Sequence, residues 1–419
     1  MTLPEEFISY TKKLFGEELW KQYITAFDGE VPVSIRLNPW KTDGAEQLAF
    51  SDKVESRVPW CRNAFYLSER PNFTLDPMLH AGAYYVQEAS SMFLDEVIRQ
   101  HVDITEGTAL DLCAAPGGKS TLLRAALPSD VTLYCNEPDR KRANILLENI
   151  QKQGHPNVVV TSRLARDYAD ARMLFDFILC DVPCSGEGMF RKDSGAISEW
   201  SLRNVMHCQE LQRSIIKDIW PCLKPGAIMV YSTCTFNTHE DEENVRWITE
   251  ELGAELLPVA THDEWHITGS LLSGWDKPVY RFIPGTTRGE GLFMAVLRKT
   301  DTTQCTGKLR TDKLDNLRAP RQTGKVKEQS HHSHKKEKEQ APAHADALLI
   351  NLDKDRYPMT ELSREDALRY LHREAVTLPD SVPRGFVIVT YGGLPLGFVK
   401  NIGTRANNLY PAEWRIRNL

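Results

Sequence analysis

The sequence predicts an α/β protein built around a mainly parallel, doubly wound sheet. Three observations carry that reading. From about residue 101 to 300, short apolar runs alternate with helical patterns, the spacing of strand–helix–strand units. One run leads straight into a Gly-Gly turn and a helix, where open sheets of this kind bind ligands. Two further runs end in turn-forming segments that each carry a cysteine.

Residues 1 to about 100 form an α+β region. Helical patterns at Glu5–Phe15 and Glu18–Phe27 precede a strand-like Val33–Leu37. In the central region, 101–300, Thr108–Leu112 reads as a buried strand and a helix opens at Ser120. Val131–Cys135 is a second strand and Arg140–Gln153 a second helix. Val158–Thr161, Phe175–Cys180 and Ala227–Tyr231 are further strands, Glu240–Leu252 is helical, and Gly291–Arg298 is a late strand. Between 301 and 345 the hydrophobic content collapses, and Lys325–Gln340 has the composition of a flexible basic linker. Its His331-His332-Ser333-His334 tract reads as solvated rather than metal-binding. Residues 346–419 recover order as a small β-rich module. It has a helical Arg364–His372 and strand-like Gly385–Thr390 and Pro395–Val399. Its aromatics Tyr391, Phe398, Tyr410 and Trp414 suit either RNA contact or a small core.

Composition narrows the class. Of 419 residues, 41% are hydrophobic and 26% charged, as in globular proteins. No apolar run approaches the roughly 20 residues of a membrane helix. The start, Met1-Thr2-Leu3-Pro4-Glu5-Glu6, is acidic and lacks the basic opening of a secretory signal. A cytosolic chain is expected, with its nine cysteines as reduced thiols. The net charge of −6 is unevenly spread: −11 over residues 1–300, +4 over 301–345 and +1 over 346–419. An acidic body with a basic tether is compatible with RNA binding, and equally with a merely solvated linker.

The loop Asp111–Lys119, D-L-C-A-A-P-G-G-K, lies at a strand end and opens a helix. Pro116-Gly117-Gly118 lets the backbone turn sharply and approach a ligand closely. A phosphate-wrapping Walker loop would need glycine at position 113, which is Cys113, and the dinucleotide fingerprint G-x-G-x-x-G is missing too. A tight turn without a pyrophosphate cradle fits S-adenosylmethionine, which carries a sulfonium and a ribose but no phosphate. Glu137, twenty residues beyond Gly117, stands where a carboxylate accepts hydrogen bonds from ribose hydroxyls; otherwise it caps the following helix.

The two cysteine segments are Asp181-Val182-Pro183-Cys184-Ser185-Gly186 and Ser232-Thr233-Cys234-Thr235. Both thiols should face the edge that holds the glycine loop. Paired thiols suit methylation of cytosine at carbon 5, a poor nucleophile. A thiolate added to carbon 6 makes carbon 5 enamine-like. Such a thiolate needs nearby positive charge, for which Lys119 or the sulfonium is available. Asp181 is placed as an acid near ring nitrogen 3, and Cys184 assists loss of the carbon-5 proton. The other thiols (Cys61, Cys113, Cys135, Cys180, Cys208, Cys222 and Cys305) read as structural. No C-x-x-C pair is present, so zinc is not expected.

These motifs resemble the Nop/Sun family of RNA cytosine-5 methyltransferases. The cofactor loop, Asp181–Asp193 (D-V-P-C-S-G-E-G-M-F-R-K-D), Tyr231–Thr235 (Y-S-T-C-T) and the lead-in Tyr85–Ser91 carry the likeness over about residues 30–300. The closing Asn407-Asn408-Leu409-Tyr410-Pro411 is similar to the PUA-like RNA-binding module of the bacterial small-subunit rRNA branch. The resemblance implies a Rossmann-like methyltransferase sheet with S-adenosylmethionine as cofactor. It implies Cys234 as nucleophile, Cys184 as release cysteine and Asp181 as the acid touching cofactor and base. Cys113, Ala114, Ala115, Pro116, Gly117, Gly118 and Lys119 then form the cofactor loop, and Glu137 is the ribose acid. The implied partner is RNA: small-subunit (16S) rRNA, free or within a subunit, with tRNA as the alternative. The chain would act as a monomer, away from membranes. A non-catalytic RNA-binding assembly factor on the same fold is the competing class. One departure concerns the Asp that the family places after the third strand. Here the stretch reads Thr161-Ser162-Arg163-Leu164-Ala165-Arg166-Asp167, and Asp167 comes late for that role.

Overall fold

The structure is a computed structural model that describes residues 3–310 and 341–418. It contains three sheets. The first is antiparallel, with β1 (Val33–Leu37), β2 (Val54–Arg57), β3 (Ala64–Leu67) and β4 (Tyr84–Val86) in the order β2-β3-β1-β4. The second has eight strands: β5 (Gly107–Asp111), β6 (Val131–Asn136), β7 (Val158–Thr161), β8 (Phe175–Asp181), β9 (Leu223–Thr233), β10 (Ala254–Leu256), β11 (Tyr280–Phe282) and β12 (Leu292–Lys299). Their order is β10-β12-β9-β8-β5-β6-β7, with β11 paired to β12. The five strands from β5 to β9 pair in parallel, while β10, β11 and β12 are antiparallel additions. The third sheet is β13 (Met359–Glu361), β14 (Gly385–Tyr391), β15 (Leu394–Asn401) and β16 (Ala406–Asn408).

The central strands read as apolar runs because helices cover both faces. Alternate residues point to opposite sides. Ala109, Phe177, Leu179 and Val230 pack with Leu122 and Leu123 of α2 (Gly118–Ala126) and Leu146 and Ile150 of α3 (Arg140–Gln153). Leu110, Ile178, Cys180 and Met229 pack with Ile216 and Ile219 of α4 (Leu202–Ile219) and Val245 and Ile248 of α5 (Glu242–Glu251). Each fully buried large apolar side chain contributes about 1.5–3 kcal/mol.

The amino-terminal helix α1 (Glu5–Thr25) covers the first expected helical pattern and the second as far as Thr25, is broken at Gly16, and tightens into a 3-10 turn at Ala26–Asp28. It buries Phe7, Phe15 and Tyr23 against Phe190, Trp200 and Phe236, residues that flank the two cysteine loops. The ring of Phe7 lies 5.0 Å from Phe190 and 5.1 Å from Trp200. This helix therefore braces the edge of the sheet that carries the cysteines.

Strand β9 begins earlier than expected. It starts at Leu223 rather than Ala227, and a register irregularity opposite Phe175 and Phe177 takes up Pro225 and Gly226 within the strand. The described ends of the 301–345 segment are largely exposed but tied to the body by backbone hydrogen bonds. Cys305 N–H donates to Pro221 and Arg310 N–H to Ala171, while helical His344–Leu348 joins the C-terminal module. The tract His331–His334 and the run Lys325–Gln340 lie outside the described residues. In the C-terminal module, Phe398 and Tyr410 are each 1% exposed, which places these two in the small core, one of the two roles their sequence left open. Tyr391 and Trp414 pack partly buried against the same core. No helix among the described residues is long and apolar enough to cross a membrane.

Candidate active site

The order of the central sheet reverses between β5 and β8, and a cleft opens at their carboxyl ends, the expected position for a ligand. Its volume is about 320 Å³, and Asp111, Cys113, Lys119, Asp181 and Cys234 line one side. Tyr85, Gln87 and Glu88 of the N-terminal region and Glu290–Leu292 at the start of β12 line the other.

The glycine loop leaves β5 and enters α2 as expected. Gly117 has φ +117°, a conformation that L side chains rarely adopt, and a Cβ there would press on Asn149 and Leu146 of α3. At Gly118 a Cβ would meet Tyr85 at 3.3 Å. The loop is held from outside: Arg142 donates to Ala115 O at 3.1 Å and Asn149 to Pro116 O at 2.8 Å. Arg36 of β1 is 4% exposed and joins the N-terminal sheet to this helix. Its guanidinium donates to Gln87 Oε1 at 2.9 Å and to Thr121 Oγ1 at 2.7 Å.

Asp111 closes β5 with no exposed surface. Ser120 Oγ donates to its Oδ2 at 2.6 Å, while Oδ1 has no partner. Burial pushes this carboxyl up to about 7, and the nearby Asp181 adds to the rise. A buried acceptor left unpaired beside a cleft is costly unless a ligand donor meets it. The ammonium group of an amino-acid ligand has that chemistry, so the residues present fit S-adenosylmethionine.

The expected thiols meet. Cys184 Sγ and Cys234 Sγ lie 3.1 Å apart, and the Cys234 backbone N–H donates to Cys184 Sγ at 3.3 Å. The hydrogen bond to Cys234, and burial after it, hold the Cys184 thiol well above its ordinary range. Beside them Lys119 Nζ donates to Asp181 Oδ2 at 2.9 Å, and Ser232 Oγ to Oδ1 at 2.7 Å. Burial alone would lower the Lys119 ammonium, but the Asp181 carboxylate holds it above its usual value.

Two buried carboxylates fasten the cysteine loops together. Glu187 accepts from Phe236 N at 2.8 Å and Trp200 Nε1 at 2.9 Å. Glu240 accepts from Ser185 N at 3.0 Å, Gln212 Nε2 at 2.8 Å and Asn237 Nδ2 at 2.8 Å. Burial pushes Glu240 up to about 7 despite these donors. Below them Arg281, fully buried, pairs with Asp241 and Glu242, and Asp241 also accepts from Thr233 Oγ1 at 2.6 Å. Removing one member of such a buried set costs about 3–5 kcal/mol.

Of the sequence-predicted residues, the structure brings Cys113, Ala114, Ala115, Pro116, Gly118, Lys119, Asp181 and Cys234 to the cleft wall. Cys184 stands directly behind Cys234, and Gly117 shapes the turn. Glu137 is 3% exposed and turned to its own loop: it accepts from Asp139 N at 3.0 Å and pairs with Arg142 at 3.3 Å. Asp167 accepts from Leu164 N at 3.1 Å at the start of its own helix, away from the cleft wall. Sequence reasoning missed Asp111, Arg36, Glu187 and Glu240. Asp111 had a signal, a carboxylate at the strand end just before the turn. The other three act across distances that one sequence does not reveal.

Three family models match successive parts of the chain. They are the N-terminal domain of 16S rRNA methyltransferase RsmF (residues 3–89), 16S rRNA methyltransferase RsmB/F (102–298) and the methyltransferase RsmF PUA domain (358–416). A ribosomal RNA small subunit methyltransferase F of Aliivibrio salmonicida is 30% identical, over 98% of this chain and 97% of that protein. Its counterpart in Pectobacterium atrosepticum is 34% identical over 71% of this chain and 63% of that protein. Among solved structures, a methyltransferase homolog protein from Pyrococcus horikoshii is 27% identical, with a TM-score of 0.59, covering 70% of this chain and 93% of its own. NSun6 from Pyrococcus horikoshii, solved with SFG, shares the fold at a TM-score of 0.60 and 22% identity, over 71% of this chain and 98% of its own. With one relative matched at 30% identity over nearly its whole length, the chain belongs to the RsmB/F family of 16S rRNA methyltransferases.

Proposed function

We propose that this protein methylates carbon 5 of a cytosine in small-subunit (16S) rRNA through a covalent Cys234–cytosine adduct. The observation that carries the reading is the 3.1 Å approach of Cys184 and Cys234 beside the Lys119–Asp181 pair, at the mouth of the glycine-loop cleft. Asp111 and the loop Cys113–Lys119 hold the cofactor, and Glu137 reaches its ribose when Arg142 yields. Bound S-adenosylmethionine supplies the sulfonium methyl group that carbon 5 takes up.

The chain's own residues do the rest. The Cys234 thiolate adds to ring carbon 6, and the Asp181–Lys119 pair offsets the charge that develops at ring nitrogen 3. Before addition, Cys184 shares its proton with the Cys234 sulfur. In the adduct that sulfur is a thioether, a weak acceptor, so the bond that held Cys184 protonated is lost. Cys184 then releases its proton to solvent, and as a thiolate it takes the carbon-5 proton, directly or through a water. The electron pair of that C–H bond restores the ring double bond, and the carbon–sulfur bond to Cys234 breaks, freeing the Cys234 thiolate.

Residues 101–300 carry this chemistry. Residues 1–100 and the PUA-like module, 346–419, hold the RNA, and 301–345 link them to it as a basic tether. The chain works as a cytosolic monomer. The names of its relatives support ribosomal RNA of the small subunit over tRNA. Bisulfite sequencing of total RNA from cells with and without the gene tests this. The expected result is loss of 5-methylcytosine at one or a few positions of small-subunit rRNA. Loss confined to tRNA would move the substrate, and no loss would overturn the reading.

A further inference from the structure

The proposed reaction uses two of the nine thiols. A second pair faces itself elsewhere: Cys222 Sγ and Cys305 Sγ lie 3.7 Å apart. Cys222 ends the short turn Trp220–Cys222 between α4 and β9 and is fully buried. Cys305 follows β12, is partly exposed, and is fixed by its backbone N–H to Pro221 O at 2.8 Å. Both backbones are thus tied at the point where the sulfurs meet. Neither thiol lines the methyl-transfer cleft.

The surroundings divide the two sulfurs by role. Lys299 Nζ sits under them, donating to Trp220 O at 2.9 Å, Leu223 O at 3.1 Å and Thr303 O. The Cys222 hydrogen bond, and after it the Lys299 and Arg172 cations, hold the Cys305 thiol below its ordinary range. The same hydrogen bond and burial hold Cys222 above it. An accessible thiol with thiolate character beside a buried resolving thiol is the arrangement that peroxides oxidise selectively.

We propose that Cys305 and Cys222 form a peroxide-oxidisable dithiol, a modification site separate from the catalytic pair. The Cys305 thiolate attacks the O–O bond of a hydroperoxide. A sulfur–oxygen bond forms, the O–O bond breaks, and the departing oxygen leaves as water or an alcohol after taking a proton. Cys305, oxidised by two electrons, is now a sulfenic acid. Cys222 loses its proton and attacks that sulfur; the disulfide forms, the sulfur–oxygen bond breaks, and water leaves. Closing the bond shortens the sulfur separation to about 2.0 Å. The product fastens the chain leaving β12 to the turn between α4 and β9, and a thiol reductant reverses it.

The test uses the reduced full-length protein with hydrogen peroxide. Remaining thiols are alkylated, and the peptides are mapped by mass spectrometry. The linked Cys222–Cys305 peptide should form first, at least about tenfold faster than Cys61, Cys135, Cys180 or Cys208 is lost, and should vanish with dithiothreitol. Cys222→Ser should leave Cys305 as a sulfenic acid that dimedone captures. Cys305→Ser, altering a partly exposed side chain, should keep the melting temperature and leave Cys222 free to alkylate after denaturation. Links only between Cys184 and Cys234 or only between molecules, or a Cys305 that stays free throughout, would overturn the proposal.

Discussion

At the catalytic cleft, charged side chains converge on open space with acceptor capacity to spare. At the seam where the C-terminal module meets the body, polar side chains are spent on packing. In the cleft, Asp111 Oδ1 has no partner and Lys119 and Asp181 bridge beside the thiols. At the seam, Tyr410 lies edge-on to His344 at 5.2 Å and to Tyr370 at 5.4 Å, and Lys152 sits over Trp414 at 5.4 Å. The Tyr410 hydroxyl reaches His80 of the N-terminal region at 3.4 Å, and Ile350 N–H donates to Gly154 O at 2.9 Å. The contrast teaches that residue type alone does not mark function. Aromatic rings in a module with basic side chains suited RNA contact and a small core equally, and two of the four are interior. The carboxylates and thiols at strand ends border open space, whereas the His344 ring nitrogens, which also lack hydrogen-bond partners, are shut inside the seam.

The sharpest way to break the contrast is to remove the nucleophile. Cys234→Ala should cut methyl transfer by about 10³-fold or more while leaving the melting temperature in place. A smaller effect is expected from Asp111→Asn. Cofactor affinity, measured by calorimetry, should fall by roughly 10- to 100-fold, as for loss of a hydrogen bond to a charged group. Stability should not fall, because burial already disfavours the charged carboxylate. Normal affinity with a lower melting temperature would make Asp111 scaffold instead. On the seam side, Gly154 ends α3 at φ +84°, and a Cβ there would collide with the Leu348 carbonyl oxygen. Gly154→Ala should weaken docking by about 1–3 kcal/mol and raise protease cleavage within residues 346–418. Cofactor binding should be unchanged, and a parallel loss there would merge the two regions into one unit.

The smallest expected effect is one of sign. Burial lowers His80 to about 4 and His344 to about 3, and Lys152 adds to both shifts. Their folded values lie below the ordinary histidine value of 6.5, so folding keeps them neutral. The seam should therefore hold fully above about pH 6.5 and loosen as pH falls toward 4. Asp111 and Glu240, raised to about 7, shift the other way. Their contribution is present below the ordinary carboxylate range and is lost as pH rises through about 7. Hydrogen-exchange protection factors of seam and cleft peptides, each relative to the intrinsic rate at its pH, should show opposite trends between pH 5 and pH 8. A common trend would contradict the division.

Much of this was legible in the sequence, and the reason is local. Val33–Leu37, Arg140–Gln153 and Val158–Thr161 have the ends that their patterns predict. Their apolar periodicity and flanking turns lie within a few residues of one another. The strands β2, β3, β4, β10, β11, β13 and β16 were not predicted. Each has only three or four residues, too few for an apolar alternation to stand out from its surroundings. The thiols, Asp181 and the glycine loop were readable because each lies where a strand meets a turn. The Glu187 and Glu240 clamps were not, because apart from Asn237, three residues before Glu240, the donors named above come from 13 to 55 residues away. Glu137 shows the limit of spacing: it has the expected position, but its carboxylate faces Asp139 N and Arg142.

The account's central claim is the division of labour between the two cleft thiols. Its most direct test incubates Cys184→Ala and Cys234→Ala separately with S-adenosylmethionine and small-subunit rRNA, followed by a denaturing gel. Cys184→Ala should accumulate a covalent protein–RNA complex that is not released. Cys234→Ala should form none, and the double variant should neither cross-link nor methylate. A covalent complex in Cys234→Ala, or methylation by the double variant, would contradict the account.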